Sequence, residues 1–258
     1  MDKTILSIEN LKKFWCSESK LAVDISQLNI NLGERIAILG PSGSGKSSFL
    51  KLIANDLRPS QGVIFFHGKN LAQWTARDLS HHRAVLPQSA AMNLELPVSL
   101  IVSLGRVSSI DQTQKNSITQ ECLRLSNASH LTNASYQILS GGERARVQMA
   151  RVFAQLWDVK DALLLLDEPF AALDPYLQIA LLKNLNQFAT ERRITVMAVL
   201  HDVNQALQFF DRGLFIKSGQ LLVDASLDDI SKHAFEELYG NQFLEFITDN
   251  KHRFLIAQ

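Results

Sequence analysis

The run Gly40-Pro41-Ser42-Gly43-Ser44-Gly45-Lys46-Ser47 constrains this chain more than any other stretch. It matches G-x-x-x-x-G-K-[ST], a loop that cradles phosphate. Arg35-Ile36-Ala37-Ile38-Leu39 precedes it and reads as a short buried strand. Over the residues that follow, Ser47 to Ala54, Phe49, Leu50, Leu52 and Ile53 recur at helical spacing. Strand, glycine loop and helix therefore come in the order that aims backbone N–H groups and the positive helix end at an anion. The motif puts Lys46 on the outer phosphates and lets the Ser47 hydroxyl ligate Mg²⁺.

Composition narrows the surroundings. With 258 residues, 46% of them hydrophobic, the chain can bury a core in one or two domains. Lys plus Arg (26) balances Asp plus Glu (26), so no basic excess draws it to nucleic acid or anionic lipid. Cys16 and Cys122 make no metal-ligand spacing, and a reduced, cytosolic protein is the default expectation. The start lacks a signal-peptide layout, and apolar runs such as Ala162 to Leu166 are too short to cross a bilayer. Any membrane role is expected to come through a partner.

Residues 4–39 alternate as β structure, with Leu28, Ile30 and Leu32 on one face. Phe14 and Trp15 follow the first strand; spacing alone leaves them as core or edge aromatics or as a platform for a nucleotide base. Gly62 to Gly68 and Ala84-Val85-Leu86-Pro87-Gln88 read as further strands. From Ser89 to about Gln137 polar, helix-compatible sequence dominates and reads as an inserted helical subdomain. Leu139-Ser140-Gly141-Gly142-Glu143 opens a helix, which by itself is also how an ordinary serine-capped helix begins.

Leu163 to Leu166 form a buried strand that runs into Asp167-Glu168-Pro169. Two acids at the end of an apolar strand are costly unless they bind something, and Mg²⁺ and an attacking water are natural partners. Ala171-Ala172-Leu173-Asp174-Pro175 makes a turn into an amphipathic helix carrying Leu177, Leu181, Leu182, Leu185 and Phe188. Ile194 to Leu200 is another apolar strand, ending at His201-Asp202. Leu39, Leu86, Leu166 and Leu200 thus close strands followed by the phosphate loop, Gln88, the acid pair and His201. Ligands of open α/β sheets sit beyond such strand ends. The tail reads as short strands at Gly213 to Lys217 and Leu221 to Asp224, a helix near Ser231 to Tyr239, and a hairpin around Asp249-Asn250.

In this order and spacing the motifs resemble the ATP-binding subunit of ABC transporters over nearly the whole chain. The resemblance implies an α/β P-loop NTPase of the ABC ATPase type, a mixed β core with an inserted helical subdomain. It divides the chain into 1–88 with 156–258 as ATP-binding core and 89–155 as the signature-bearing subdomain. It assigns ATP to Trp15 (Phe14 as the fallback), to Gly40, Pro41, Ser42, Gly43, Ser44, Gly45, Lys46, Ser47 and Ser48, and to Ser140, Gly141, Gly142 and Asp174. It assigns Mg²⁺ to Ser47, Gln88 and Asp167, and catalysis to Glu168 as general base with His201 and Gln88. A single phosphate loop and a single signature per chain imply a head-to-tail homodimer sandwiching two ATP molecules. The partners implied are a polytopic permease dimer and, indirectly, a substrate-binding protein, with the chain peripheral on the cytoplasmic face of the inner membrane. Glu143 stands where many members have Gln, and Phe170 where a small polar residue is common.

Finer matches resemble the haem, iron-siderophore and vitamin B12 importer branch, most of all its haemin importer ATPases. They are Ala84 to Gln88, Leu104-Gly105-Arg106, Leu139 to Arg144, Ala154-Gln155-Leu156-Trp157 and Val199 to Asn204. His81-His82 reads as a solvated helix end rather than a haem ligand. Two rival classes are a soluble ABC clamp, as in cluster assembly, and a P-loop kinase. The kinase leaves Leu139 to Glu143 and His201 unexplained.

Overall fold

The structure, a computed structural model, describes residues 4–15, 20–88, 95–106, 111–249 and 252–258. The start of the chain, Cys16, Ser89 at the expected subdomain boundary and Asn250 of the expected turn lie outside the described residues. In chain order the elements are β1 (Thr4–Trp15), β2 (Lys20–Asn31), β3 (Arg35–Leu39), α1 (Lys46–Ile53), β4 (Gln61–Phe66), β5 (Lys69–Asn70), α2 (Ala76–Ser80), β6 (Arg83–Leu86), α3 (Val98–Ser103) and α4 (Gln112–Leu125). Then follow α5 (Gly141–Leu156), β7 (Leu163–Asp167), α6 (Pro175–Arg192), β8 (Thr195–Val199), α7 (Val203–Phe209), β9 (Arg212–Lys217), β10 (Gln220–Ser226), α8 (Lys232–Tyr239), β11 (Phe243–Ile247) and β12 (Arg253–Ala257). They form two compact units, residues 1–74 with 195–258, and residues 75–194.

In the first unit the strands run β5-β4-β1-β2-β10-β9-β3-β8. Its β1–β2 and β1–β4 pairs are antiparallel, with Ile8 facing Leu28 on one side and Ile64 on the other. At the other end β3 lies parallel to both β8 and β9, and Ile36, Ala37, Ile38 and Leu39 are fully buried. A strand buried on both faces needs such an unbroken apolar run. Leu32 does not share the face of Leu28 and Ile30. The Glu34 carboxylate accepts hydrogen bonds from the Asn31 backbone and side chain, which ends β2 at Asn31 and puts Leu32 in the turn. The tail follows the sequence expectation closely, with β11 and β12 paired antiparallel as a separate hairpin.

In the second unit β6 lies parallel to β7, Leu86 beside Leu166. The helices expected from 89–155 are α3, α4 and α5, which pack on one another. Gln155 donates to the carbonyls of Ser80 and Arg83, both at 2.9 Å, and so ties α5 to the start of β6. Phe153 of α5 meets Phe188 of α6 at 4.6 Å between ring centroids, and both are buried. Each such ring contributes about 1.5–3 kcal/mol through burial. The Cys122 thiol is buried on α4, and burial pushes its pKa up to about 12, so it stays an inert thiol.

Candidate functional site

In the first unit the phosphate loop leaves the end of β3. Gly40 is pressed against β9: a Cβ there would meet the Ile216 carbonyl oxygen at 2.0 Å. Gly45, at φ 105°, sits where a Cβ would meet the Ala22 carbonyl oxygen at 2.3 Å. No other residue fits either place, which fixes the loop's path. Helix α1 then starts at Lys46, one residue before the sequence expectation. The Lys46 ammonium, on a residue only 5% exposed, donates to the carbonyls of Gly40 and Pro41 at 2.8 and 2.9 Å. A desolvated cation at a helix N-terminus suits an anion. The Ser44 hydroxyl is buried in the same loop without a hydrogen-bond partner, a further polar group that a phosphate oxygen would satisfy. Ser42, Gly43, Ser47 and Ser48 complete the loop and the first turn of α1.

The neighbouring strand, β8, ends level with β3, and Leu200 N–H donates to the Ile38 carbonyl at 3.2 Å. Exposed His201 follows, and Asp202 caps α7 by accepting from Asn204 N–H at 2.8 Å. Trp15 ends β1, is 39% exposed and carries the Lys13 ammonium 5.2 Å from its ring centroid. Trp15 is thus the more exposed of the two aromatics, with a cation over its ring, whereas Phe14 is half-buried.

In the second unit β6 and β7 repeat this arrangement. Asp167 ends β7 and is 4% exposed. Glu168 follows with φ 51°, a left-handed conformation that costs a non-glycine residue about 1–3 kcal/mol. Past the end of β6, Gln88 donates from Nε2 to Glu168 Oε2 at 2.7 Å. Gln88, Glu168, Gly141, Ala171 and Ala172 are among the residues lining a cavity of 340 Å³. Ser140 caps α5, and Glu143 closes a capping box by accepting from Ser140 N–H and Oγ–H, both at 2.8 Å. Those bonds hold the Glu143 carboxyl below its ordinary pKa. A Cβ on Gly142 would meet the Ala172 carbonyl oxygen at 2.8 Å, so the signature turn abuts the 171–174 turn. Asp174 caps α6, accepting from Leu177 N–H at 3.0 Å.

Sequence reasoning missed the supports of these turns. Gln178 donates to the carbonyls of Phe170 and Leu173, at 3.1 and 2.9 Å, and pins the turn before Asp174. Gln148 donates to the Tyr136 hydroxyl at 2.9 Å behind the signature helix. Both lie on amphipathic helices, where a glutamine reads as surface; only their positions beside motif turns could have flagged them.

Comparison with known proteins agrees with this construction. The model of the family described as ABC transporter matches residues 23–171. A hemin import ATP-binding protein from Methylobacillus flagellatus is 39% identical over 83% of this chain and 81% of its own length. One from Pseudomonas aeruginosa is 38% identical over 78% of this chain and 79% of its own. Among solved structures, a component of an ABC transporter complex from Clostridium perfringens superposes with a TM-score of 0.76 at 26% identity, covering 92% of both chains. An inward-facing metal-chelate type ABC transporter gives a TM-score of 0.78 over 100% of this chain and 98% of its own, at 24% identity. The chain therefore belongs to the ABC transporter family.

Proposed function

We propose that this chain is the ATP-hydrolysing subunit of an ABC importer, working as a homodimer on a membrane permease that carries haemin. The observation that carries hydrolysis is the Glu168 carboxylate at the end of β7, held by Gln88, in a chain with a complete phosphate loop. The cargo reading rests on the relatives named for haemin import. Among the described residues no helix is long and apolar enough to cross a membrane. In this reading the permease passes the cargo, and this chain works at its cytoplasmic face.

In this reading Trp15 stacks on the adenine of ATP. Lys46 and the backbone of Gly40 to Ser48 hold its phosphates, exchanging the loop carbonyls for charged oxygens. Ser47, Gln88 and Asp167 would hold Mg²⁺; their hydroxyl, amide and carboxylate oxygens are the hard donors that such an ion takes, and Asp167 is buried at the end of β7. When bound, Mg²⁺ neutralises charge on the phosphate oxygens. Glu168 takes the proton of the attacking water, and the bond from Gln88 fixes the direction in which that carboxylate points. His201 donates to the terminal phosphate. Ser140 to Gly142 and Asp174 act on the nucleotide of the opposite protomer, so neither protomer completes a site alone. Catalysis is then positioning and electrostatics, as in other phosphoryl transfers.

The test is ATPase activity of the chain reconstituted with its permease, with haemin-loaded carrier protein added or withheld. Stimulation by the loaded carrier is expected. A response only to a siderophore or cobalamin carrier would change the cargo, and failure to bind any permease would overturn the importer reading in favour of a soluble clamp.

A further inference from the structure

The tail grips the segment that carries His201. Asn204, three positions beyond His201, donates from Nδ2 to the Leu255 carbonyl at 3.0 Å and accepts Leu255 N–H on Oδ1 at 2.8 Å. One side-chain amide thus pairs with a β12 residue as the backbone of a neighbouring strand would. Leu255 is 2% exposed, and both bonds are partly buried, which strengthens them relative to bonds in open water. The same side chain's residue donates its backbone N–H to Asp202, the cap adjoining His201.

Helix α7 spans only Val203–Phe209, and a helix this short is marginal without tertiary anchorage. The hairpin that holds it is itself anchored. Arg253 donates to the Ile230 carbonyl and pairs with Glu245, while Phe243 N–H donates to Glu236 of α8 at 3.1 Å. From α8, Lys217 of β9 receives a further tie, donating to the Glu237 carbonyl. The Tyr239 hydroxyl of α8 is buried near the Gly40 backbone, and burial pushes its pKa up to about 12. Two parts of the tail therefore reach the two loops that leave β3 and β8.

We propose that the α8–β11–β12 tail is an internal brace for the hydrolytic machinery, with Asn204 a positioning residue that holds His201 through the Asp202 cap. The role given to His201 rests on the reading above; the brace itself does not. A tail paired with the catalytic segment through the Asn204 amide is a place where strain on the tail reaches hydrolysis without touching the nucleotide.

The experiment pairs Asn204→Ala and Asn204→Asp with two readouts. Asp keeps the acceptor for Leu255 N–H but loses the donor. In the first readout, backbone amide exchange of nucleotide-free protein, exchange across residues 201–209 should quicken in Asn204→Ala and less in Asn204→Asp. Unchanged exchange there would overturn the brace, whatever the protein hydrolyses. In the second, ATPase kinetics, kcat should fall by roughly 10-fold in Asn204→Ala, since small displacements of a catalytic group cost rates of that order. KM for ATP should stay within about 2-fold, and adding His201→Ala should cost little more, because coupled residues are non-additive. Equal losses in kcat and KM, or losses that multiply with His201→Ala, would reject the positioning role. Quickened exchange in a chain whose wild type fails to hydrolyse ATP would keep the brace and reject the ATPase reading instead.

Discussion

Gln88 and Glu168, 80 residues apart in sequence, meet through a 2.7 Å hydrogen bond in which the amide donates to the carboxylate. The bond spans the ends of two parallel strands, β6 and β7, whose register sets Leu86 beside Leu166. The bond orients the carboxylate, as the general-base role proposed above requires.

Glu168→Gln should therefore bind ATP as the wild type does and hydrolyse it about 10²–10⁴-fold more slowly. The replacement amide can still accept from Gln88, so the loss isolates the basicity of the side chain. Single-turnover hydrolysis alongside equilibrium ATP binding checks this; wild-type turnover would remove Glu168 from its role.

Lys46→Ala should weaken ATP binding by roughly 10- to 100-fold, the value of one charge-assisted bond of about 1.5–3 kcal/mol. Its printed partners are backbone carbonyls of the loop itself, Gly40 and Pro41, so the loss should fall on the phosphate site rather than on the packing of the core. Fluorescent-nucleotide titration measures the change, and tight binding by the variant would place the phosphate site elsewhere.

Ser140→Arg and Ser140→Ala separate two jobs of one residue. Both lose the cap of α5 and should lower stability by about 1 kcal/mol, or Tm by ~2–4 °C. Only Arg adds bulk and charge at the turn. ATP should therefore still drive dimerisation of Ser140→Ala, while Ser140→Arg binds ATP and stays monomeric. Light scattering at saturating ATP decides; a dimer of the Arg variant would contradict the sandwich.

Glu143 gives a pH signature. Its carboxyl is held below the ordinary value, chiefly by the Ser140 backbone bond and next by the Ser140 hydroxyl. Folding thus favours the ionised form: the contribution is complete above the unfolded-state pKa and is lost as pH falls through the lowered folded-state pKa. The side chain is exposed, so solvent screening keeps the effect small. Glu143→Gln should melt slightly below the wild type at neutral pH, with the gap closing as the pH drops below the usual carboxylate range. A gap that stays constant with pH would show that the carboxylate's charge adds nothing to the cap.

Most elements were legible because they are encoded locally; the two-residue β5 and the short helix α7 were not read. The loop from Gly40 to Ser47 carries its glycines and lysine in one short run, and β3, β7 and β8 announce themselves by unbroken apolar sequence. Even the terminal hairpin could be read from alternation around a turn signal. Leu32 was misread because alternation continues through Asn31, and only the bonds between Asn31 and Glu34 show where the strand stops.

By itself, then, the sequence determined which segments become strands and helices and which strand ends carry polar groups. Local propensity and periodicity suffice for that. Tertiary structure alone decided the partners: Gln88 with Glu168, Gln178 with the turn before Asp174, and Asn204 with Leu255 across 51 residues. It also decided that Glu168 would sit at positive φ. The reason is physical. A polar side chain's partner depends on which distant backbone packing brings within about 3 Å, and no pattern along the chain fixes that distance.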